Sequence, residues 1–290
     1  MSYRSFPATV STLERLTPNF VRVTFQSPEL REIGVGGPDQ RIKVIFPLPG
    51  SRVSSLPEGD DWYGLWRQQP DEERHPMRTY TIREVDNAAG ELVVDFVAHG
   101  VSGPASRWIT TLAEPGDRLL VVAPDRSSTD FGGYEWHPGT ATTFLIAGDE
   151  TAVPAICAIV ETLPPDARGA VLLEIPDAAD ALPVTVPPGV DLQWLARGAG
   201  EHGASLAPAV RSWVEQTMPR EEPGDLDLLN PDTDVLWEVP AAVADGGLYA
   251  WFAGEAGLIT GLRRTLVRDF GVDKSRVAFM GYWKLGRAES

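Results

Sequence analysis

The chain has 290 residues, with 41 acidic against 25 basic side chains and a formal net charge of −16 at pH 7. A surface of that sign repels phosphate backbones and anionic lipid, which excludes nucleic-acid or membrane binding by a general basic field; any anionic ligand needs a local basic pocket. One cysteine, Cys157, excludes an internal disulfide and a thiolate cluster, and the histidines His75, His99, His137 and His202 show no paired-ligand spacing, so no protein-built metal centre is expected.

Up to about residue 125 the sequence shows short β-type segments between turn residues. Period-2 alternation is clearest at 20–26, where Val21, Val23 and Phe25 share a face. Strands are predicted at 8–16, 20–26, 41–46, 78–84, 91–98 and 118–123, with Asn87-Ala88-Ala89-Gly90 as a hairpin turn. With no long helix before Gly103, these six segments predict a small antiparallel β-barrel over 1–137. The Pro-, Gly- and charge-rich stretch 47–77 interrupts it, and a connection of that length is expected to be disordered or to form a lid.

Over 138–290 the pattern changes. Strands at 142–147, 170–175, 191–196, 248–253 and 276–281 alternate with helices at 151–163, 205–217 and 255–270, which means βαβ units and a parallel sheet. The acidic, Pro-rich stretch 219–234 is expected to be a surface excursion. The fold class is therefore two-domain, a six-stranded antiparallel barrel followed by an α/β domain, with the cleft between them as the expected site. Ligands of open α/β sheets bind beyond the carboxyl ends of the strands. No apolar run approaches the roughly 18–20 residues that cross a bilayer, and the first twenty residues hold no apolar leader core, so a soluble cytoplasmic protein without membrane insertion is expected.

Two segments of the first half carry chemistry. In Arg78-Thr79-Tyr80-Thr81-Ile82-Arg83, strand alternation puts Arg78, Tyr80 and Ile82 on one face, a platform on which an aromatic ring stacks and a guanidinium pairs a phosphate. A plain strand with a half-buried tyrosine has the same pattern. The segment from Val97 through His99, Gly103, Pro104, Ala105 and Ser106 to Trp108 turns on glycines into a helix whose free N–H groups suit a pyrophosphate. An ordinary capped helix begins the same way.

Together these segments resemble the siderophore-interacting proteins, a branch of the ferredoxin-reductase-like flavoproteins. The resemblance continues through Gly148-Asp149-Glu150-Thr151-Ala152, Trp194-Leu195-Ala196-Arg197, Trp251-Phe252-Ala253-Gly254-Glu255 and Gly281-Tyr282-Trp283-Lys284, in order over roughly 8–287. It implies a cytoplasmic ferric-siderophore reductase with FAD on the barrel and NADPH or NADH on the α/β domain. It implies FAD contacts at Arg78, Tyr80, Thr81, Val97, His99, Gly103, Ala105 and Ser106. A departure lies at Ala123-Pro124-Asp125-Arg126-Ser127, where relatives have a Gly-Pro-Arg-Gly-like turn.

Asp149, Glu150, Thr151 and Ala152, with Gly254 and Glu255, are expected at the nicotinamide nucleotide; helix capping by Asp149, Thr151 or Glu255 is the plainer reading. Seven of the 25 basic residues, Arg263, Arg264, Arg268, Lys274, Arg276, Lys284 and Arg287, fall in the last 28 positions. Lys284, Arg287 and Arg264 are expected to receive an anionic ferric siderophore, and a solvated helix face accounts for the others. Trp283 either covers the flavin or packs in the core. Two other readings stand beside the reductase: a general flavin or quinone reductase, and a flavin-containing siderophore binder reduced by ferredoxin.

Overall fold

The computed structural model describes residues 3–48, 50–51, 56, 61–98, 103–218, 236–240 and 246–286. Contacts divide the described residues into one unit up to Tyr134 and another from Glu135 to Gly286.

The first unit holds β1 (Tyr3–Arg15), β2 (Phe20–Gln26), β3 (Arg41–Ile45), α1 (Trp62–Arg67), β4 (Met77–Thr81), β5 (Glu84–Asp86), β6 (Glu91–Val97), α2 (Pro104–Arg107) and β7 (Arg118–Pro124). Its antiparallel sheet runs β4-β3-β7-β1-β2-β6-β5. Six predicted strands become seven because the fourth breaks at Ile82-Arg83. Before the break the chain pairs with β3, and Ile82 N–H donates to Gln40 O at 2.8 Å; after it, Arg83 N–H donates to Val93 O at 2.9 Å, on β6. The first and last strands of the sheet are thus two halves of one bent segment, and the sheet curls back on itself.

β1 starts five residues before the predicted strand, at Tyr3 rather than Ala8. It pairs with β7 through Tyr3–Thr9 and with β2 from Thr9 to Arg15. Pro7 lies in the half that pairs on one side only, the position in which a residue lacking N–H is tolerated in a strand. At the hairpin after β5, Asp86 Oδ1 accepts from the N–H groups of Ala88 and Ala89, and Gly90 turns at φ 72°.

Inside the curl Phe6, Phe25, Phe46, Phe96 and Trp108 are buried with Ile42, Val44, Val94 and Val121. The outer face of β3, β4 and β7 carries a second apolar cluster, Ile45, Met77, Leu120 and Val122, covered by Trp66 of α1. Trp66 Nε1 donates to His75 O at 3.0 Å, and His75 Nδ1 accepts from Leu48 N–H at 3.1 Å. The described part of 47–77 therefore packs on the outer face of the sheet.

The second unit holds β8 (Thr143–Gly148), α3 (Val153–Val160), β9 (Arg168–Ile175), β10 (Gly189–Ala196), α4 (Leu206–Thr217), β11 (Trp237–Glu238), β12 (Leu248–Glu255), α5 (Ala256–Arg263) and β13 (Val277–Trp283). The sheet order is β10-β9-β8-β12-β13-β11, parallel except for β11, an edge strand too short to show in the sequence. Every residue of α3 is buried, which accounts for its continuous apolar run. α4 buries Leu206, Val210 and Val214 at four-residue spacing, the stripe of a helix lying on a sheet. After α5 the helix widens over Arg264–Asp269, within the predicted 255–270. From β8 the chain passes to β9 on one side and, later, to β12 on the other. The order reverses between β8 and β12, so their carboxyl ends flank the switch point where open sheets hold ligands.

Candidate functional site

In the first unit, Arg78 faces Val44 and Tyr80 faces Ile42 across the β3–β4 ladder, so both share the side of the inner core residues. The Tyr80 ring, half-buried, lies 4.3 Å from Phe96 and 6.4 Å from Phe46. Trp108 lies 5.8 Å from Phe96 and 5.4 Å from Phe46. One aromatic cluster thereby joins the Arg78–Tyr80 strand to the helix that begins at Gly103. Arg78 Nη1 donates to Met77 O at 2.7 Å, and Thr81 is buried on the opposite face with Arg41 as its ladder partner. Val97 is half-buried and pairs with Phe20 at the end of β6.

α2 begins with Gly103 extended at φ −136° and no side chain capping it. Pro104 has no N–H, so the first-turn donors are those of Ala105 and Ser106. Ala105 is buried, Ser106 is half-buried, and among the described residues nothing lies within 4 Å of where a Gly103 Cβ would stand. Uncapped donors beside an open glycine and a half-buried aromatic ring fit a phosphorylated planar ligand such as FAD. His99 lies outside the described residues. In the Ala123–Ser127 departure, Asp125 pairs with Arg4 and accepts from Ser127 N–H at 2.8 Å and Oγ at 2.6 Å, and these bonds hold its carboxyl down at about 2.

In the second unit Asp149, Glu150, Thr151, Ala152, Gly254 and Glu255 come together at the switch point. Asp149 Oδ1 accepts from Thr151 N–H at 2.9 Å and Thr151 Oγ1 at 2.5 Å; Oδ2 accepts from Glu255 N–H at 2.7 Å and Trp283 Nε1 at 2.8 Å. One carboxylate ties the ends of β8, β12 and β13. Gly254 turns at φ 150°, and a Cβ there would meet Asp149 Oδ2 at 2.7 Å, so both conformation and space call for glycine. Glu255 caps α5, its Oε2 accepting from Leu258 N–H at 2.9 Å, while its Oε1 accepts from Leu285 N–H at 3.1 Å. Ala152 is buried at the entry to α3.

Glu150 is fully buried and holds Arg197 in a fork, Oε1 at 2.7 Å from Nη2 and Oε2 at 2.9 Å from Nη1. Arg197 Nη1 also reaches Glu174 Oε1 at 3.2 Å. Glu174 in turn accepts from the N–H groups of Gly203, Ser205 and Leu206 at 2.7, 2.9 and 2.9 Å, capping α4 in place of the Ser205 side chain. Glu174 is not among the residues singled out from the sequence, where it shows only as a lone charge in the apolar run Ala170–Ile175.

Burial, and then the negative charge of Glu150, push the Asp149 carboxyl up to about 6, against the bonds from Thr151 and Trp283. His202 stacks edge-on to Trp283 at 4.8 Å and stands 3.9 Å from Glu150. Asp149, Glu150 and His202 offer ligand atoms within 4.8 Å of one another, but the carboxylate oxygens already accept the protein donors named above.

The basic residues near the carboxyl terminus separate. Arg263 is buried in a fork with Glu238, Arg268 pairs with Asp269, and Arg276 donates to Gly246 O. Arg264 is exposed at the end of α5, Lys284 is half-buried between the latched residues Trp283 and Leu285, and Arg287 lies outside the described residues. No described helix is long and apolar enough to cross a membrane.

Residues 9–128 match the siderophore-interacting FAD-binding domain, and residues 141–286 match the siderophore-interacting protein family. The ferric vibriobactin reductase ViuB of Vibrio cholerae is 28 % identical over 280 residues, covering 94 % of this chain and 87 % of ViuB. Among solved structures, the siderophore-interacting protein SipS from Aeromonas hydrophila is 30 % identical with a TM-score of 0.69, covering 99 % of this chain and 94 % of that one. A siderophore utilization protein from T. fusca is 25 % identical with a TM-score of 0.74, covering 99 % and 95 %.

Proposed function

This chain belongs to the siderophore-interacting protein family, and on that premise we propose that it is a cytoplasmic ferric-siderophore reductase that uses FAD and a nicotinamide nucleotide. The observation that carries the reading is the pairing, on one chain, of a flavin-type barrel with an open parallel sheet whose switch point is formed by Asp149 and Glu255. Similarity to ViuB over 94 % of the chain supports the ferric substrate.

Iron(III) in a siderophore is a hard ion in a cage of hard oxygen ligands, so protein ligands compete poorly for it. Reduction to iron(II) loosens the cage without a protein metal site. A bound flavin supplies the chemistry, since it accepts a hydride and passes electrons on singly. In this reading Tyr80, Val97 and the Thr81 backbone hold its ring portion, Arg78 pairs a phosphate, and the Gly103, Ala105 and Ser106 turn lies on its phosphates.

Asp149 and Glu150 act on the nucleotide through the turn they hold. Their oxygens are engaged within the protein, so the contact surface is the backbone of Thr151, Ala152 and Gly254. Lys284 and Arg264, with Arg287, receive the anionic ferric complex. The test is to compare turnover of ferric siderophore with that of free flavin and of quinones. Preference for the siderophore is expected; preference for the others would replace this reading with a general flavin or quinone reductase.

A further inference from the structure

We propose that the second unit selects NADH over NADPH; the proposal rests on the nicotinamide reading above. In open α/β sheets the phosphate-free ribose of NADH is recognised by an acceptor near the end of the second strand, whereas the 2′-phosphate of NADPH needs an available arginine. Here the second and third strands in chain order are β9 and β10, and the segments leaving their carboxyl ends are 176–188 and 197–205.

Those two segments carry Asp177, Asp180 and Glu201 against one permanent cation, Arg197, with His202 as the only other titratable side chain. Arg197 is spoken for. Its side chain is 8 % exposed, its two terminal nitrogens bind Glu150 and Glu174, and both of those carboxylates are fully buried. A 2′-phosphate, with nearly two negative charges at pH 7, would have to break the fork and leave Glu150 buried without its cation. It would also stand close to exposed Asp177 and Glu201. A ribose 2′-hydroxyl meets no such penalty, because an exposed carboxylate is an acceptor for it. The acidic background of the whole chain works in the same direction.

The experiment uses the full FAD-loaded chain. Anaerobic flavin reduction is timed with NADH and with NADPH at low ionic strength, and calorimetry measures NAD⁺ and NADP⁺ binding independently of turnover. NADH is expected to be favoured by at least about tenfold in both readouts, the discrimination given by ~1.4 kcal/mol. Glu201→Arg, an exposed change, is expected to narrow the ratio by improving NADPH, with the gain lost at high salt. Equal or better use of NADPH by the native chain overturns the selectivity while leaving the nicotinamide reading in place. If neither nucleotide binds nor bleaches the flavin, both fail, and the donor is another redox protein.

Discussion

Trp283 donates its indole N–H to Asp149 at 2.8 Å, across 134 residues of sequence. The bond fixes the end of β13 against the turn after β8, and Glu255 adds a second tie just beyond it through Leu285 N–H. Trp283→Phe keeps an aromatic ring beside His202 and removes the donor. A hydrogen bond to a charged group is worth about 1.5–3 kcal/mol, so a loss of that order is expected in denaturant unfolding. An unchanged midpoint and slope would mean that the bond contributes nothing.

The same carboxylate sets a pH dependence. Asp149 sits at about 6 in the fold, above its ordinary value of 3.8, so the folded state favours the neutral form more than the unfolded chain does. Its contribution is fully present below the unfolded value and is lost as pH rises through about 6. Unfolding free energies measured from about pH 4 to 7 are expected to show this decline in the native chain and to lack it in Asp149→Asn. Parallel profiles for the two proteins would contradict the assignment.

Arg197 answers two buried acids, and the loss is asymmetric. Removing one partner of a buried pair typically costs about 3–5 kcal/mol because the other charge stays buried. Arg197→Ala is expected to lose stability on that scale, since Glu150 and Glu174, both fully buried, would lose the guanidinium that bridges them. Arg197→Lys restores the charge without the fork and is expected to recover part of the loss. A denaturation series on the three proteins checks the order.

Much of the fold is legible in the sequence where periodicity speaks. Val23 and Phe25 are fully buried and Val21 nearly so, as alternation at 20–26 requires. The break at Ile82-Arg83 is not legible, because it depends on which neighbour the chain pairs with on each side. Pro7 hides the first half of β1, since nothing local reveals that this half pairs on one side. The strand-to-helix turns at Asp149 and Glu255 stand out by residue type. Their joining does not, because Glu255 N–H reaches Asp149 from 106 residues away. The basic carboxyl-terminal group looks uniform as a sequence; Glu238 and the Gly246 carbonyl divide it in the structure.

The flavin assignment on the barrel is tested by Arg78→Ala and Ser106→Ala. Each removes a side chain proposed to meet an anionic part of FAD, and a charge-assisted bond of about 1.5–3 kcal/mol corresponds to a roughly tenfold to hundredfold weaker Kd. Flavin titration of the apoproteins is expected to show that weakening. Native affinity in both variants would place the flavin elsewhere.

The most direct measurement of the central claim is anaerobic mixing of the flavin-reduced protein with a ferric siderophore in the presence of a ferrous-specific chelator, following flavin absorbance and the ferrous complex together. The expected result is flavin reoxidation with one trapped ferrous ion per electron lost. Flavin that stays reduced beside ferric siderophore, yet reoxidises promptly with a quinone, would contradict the account.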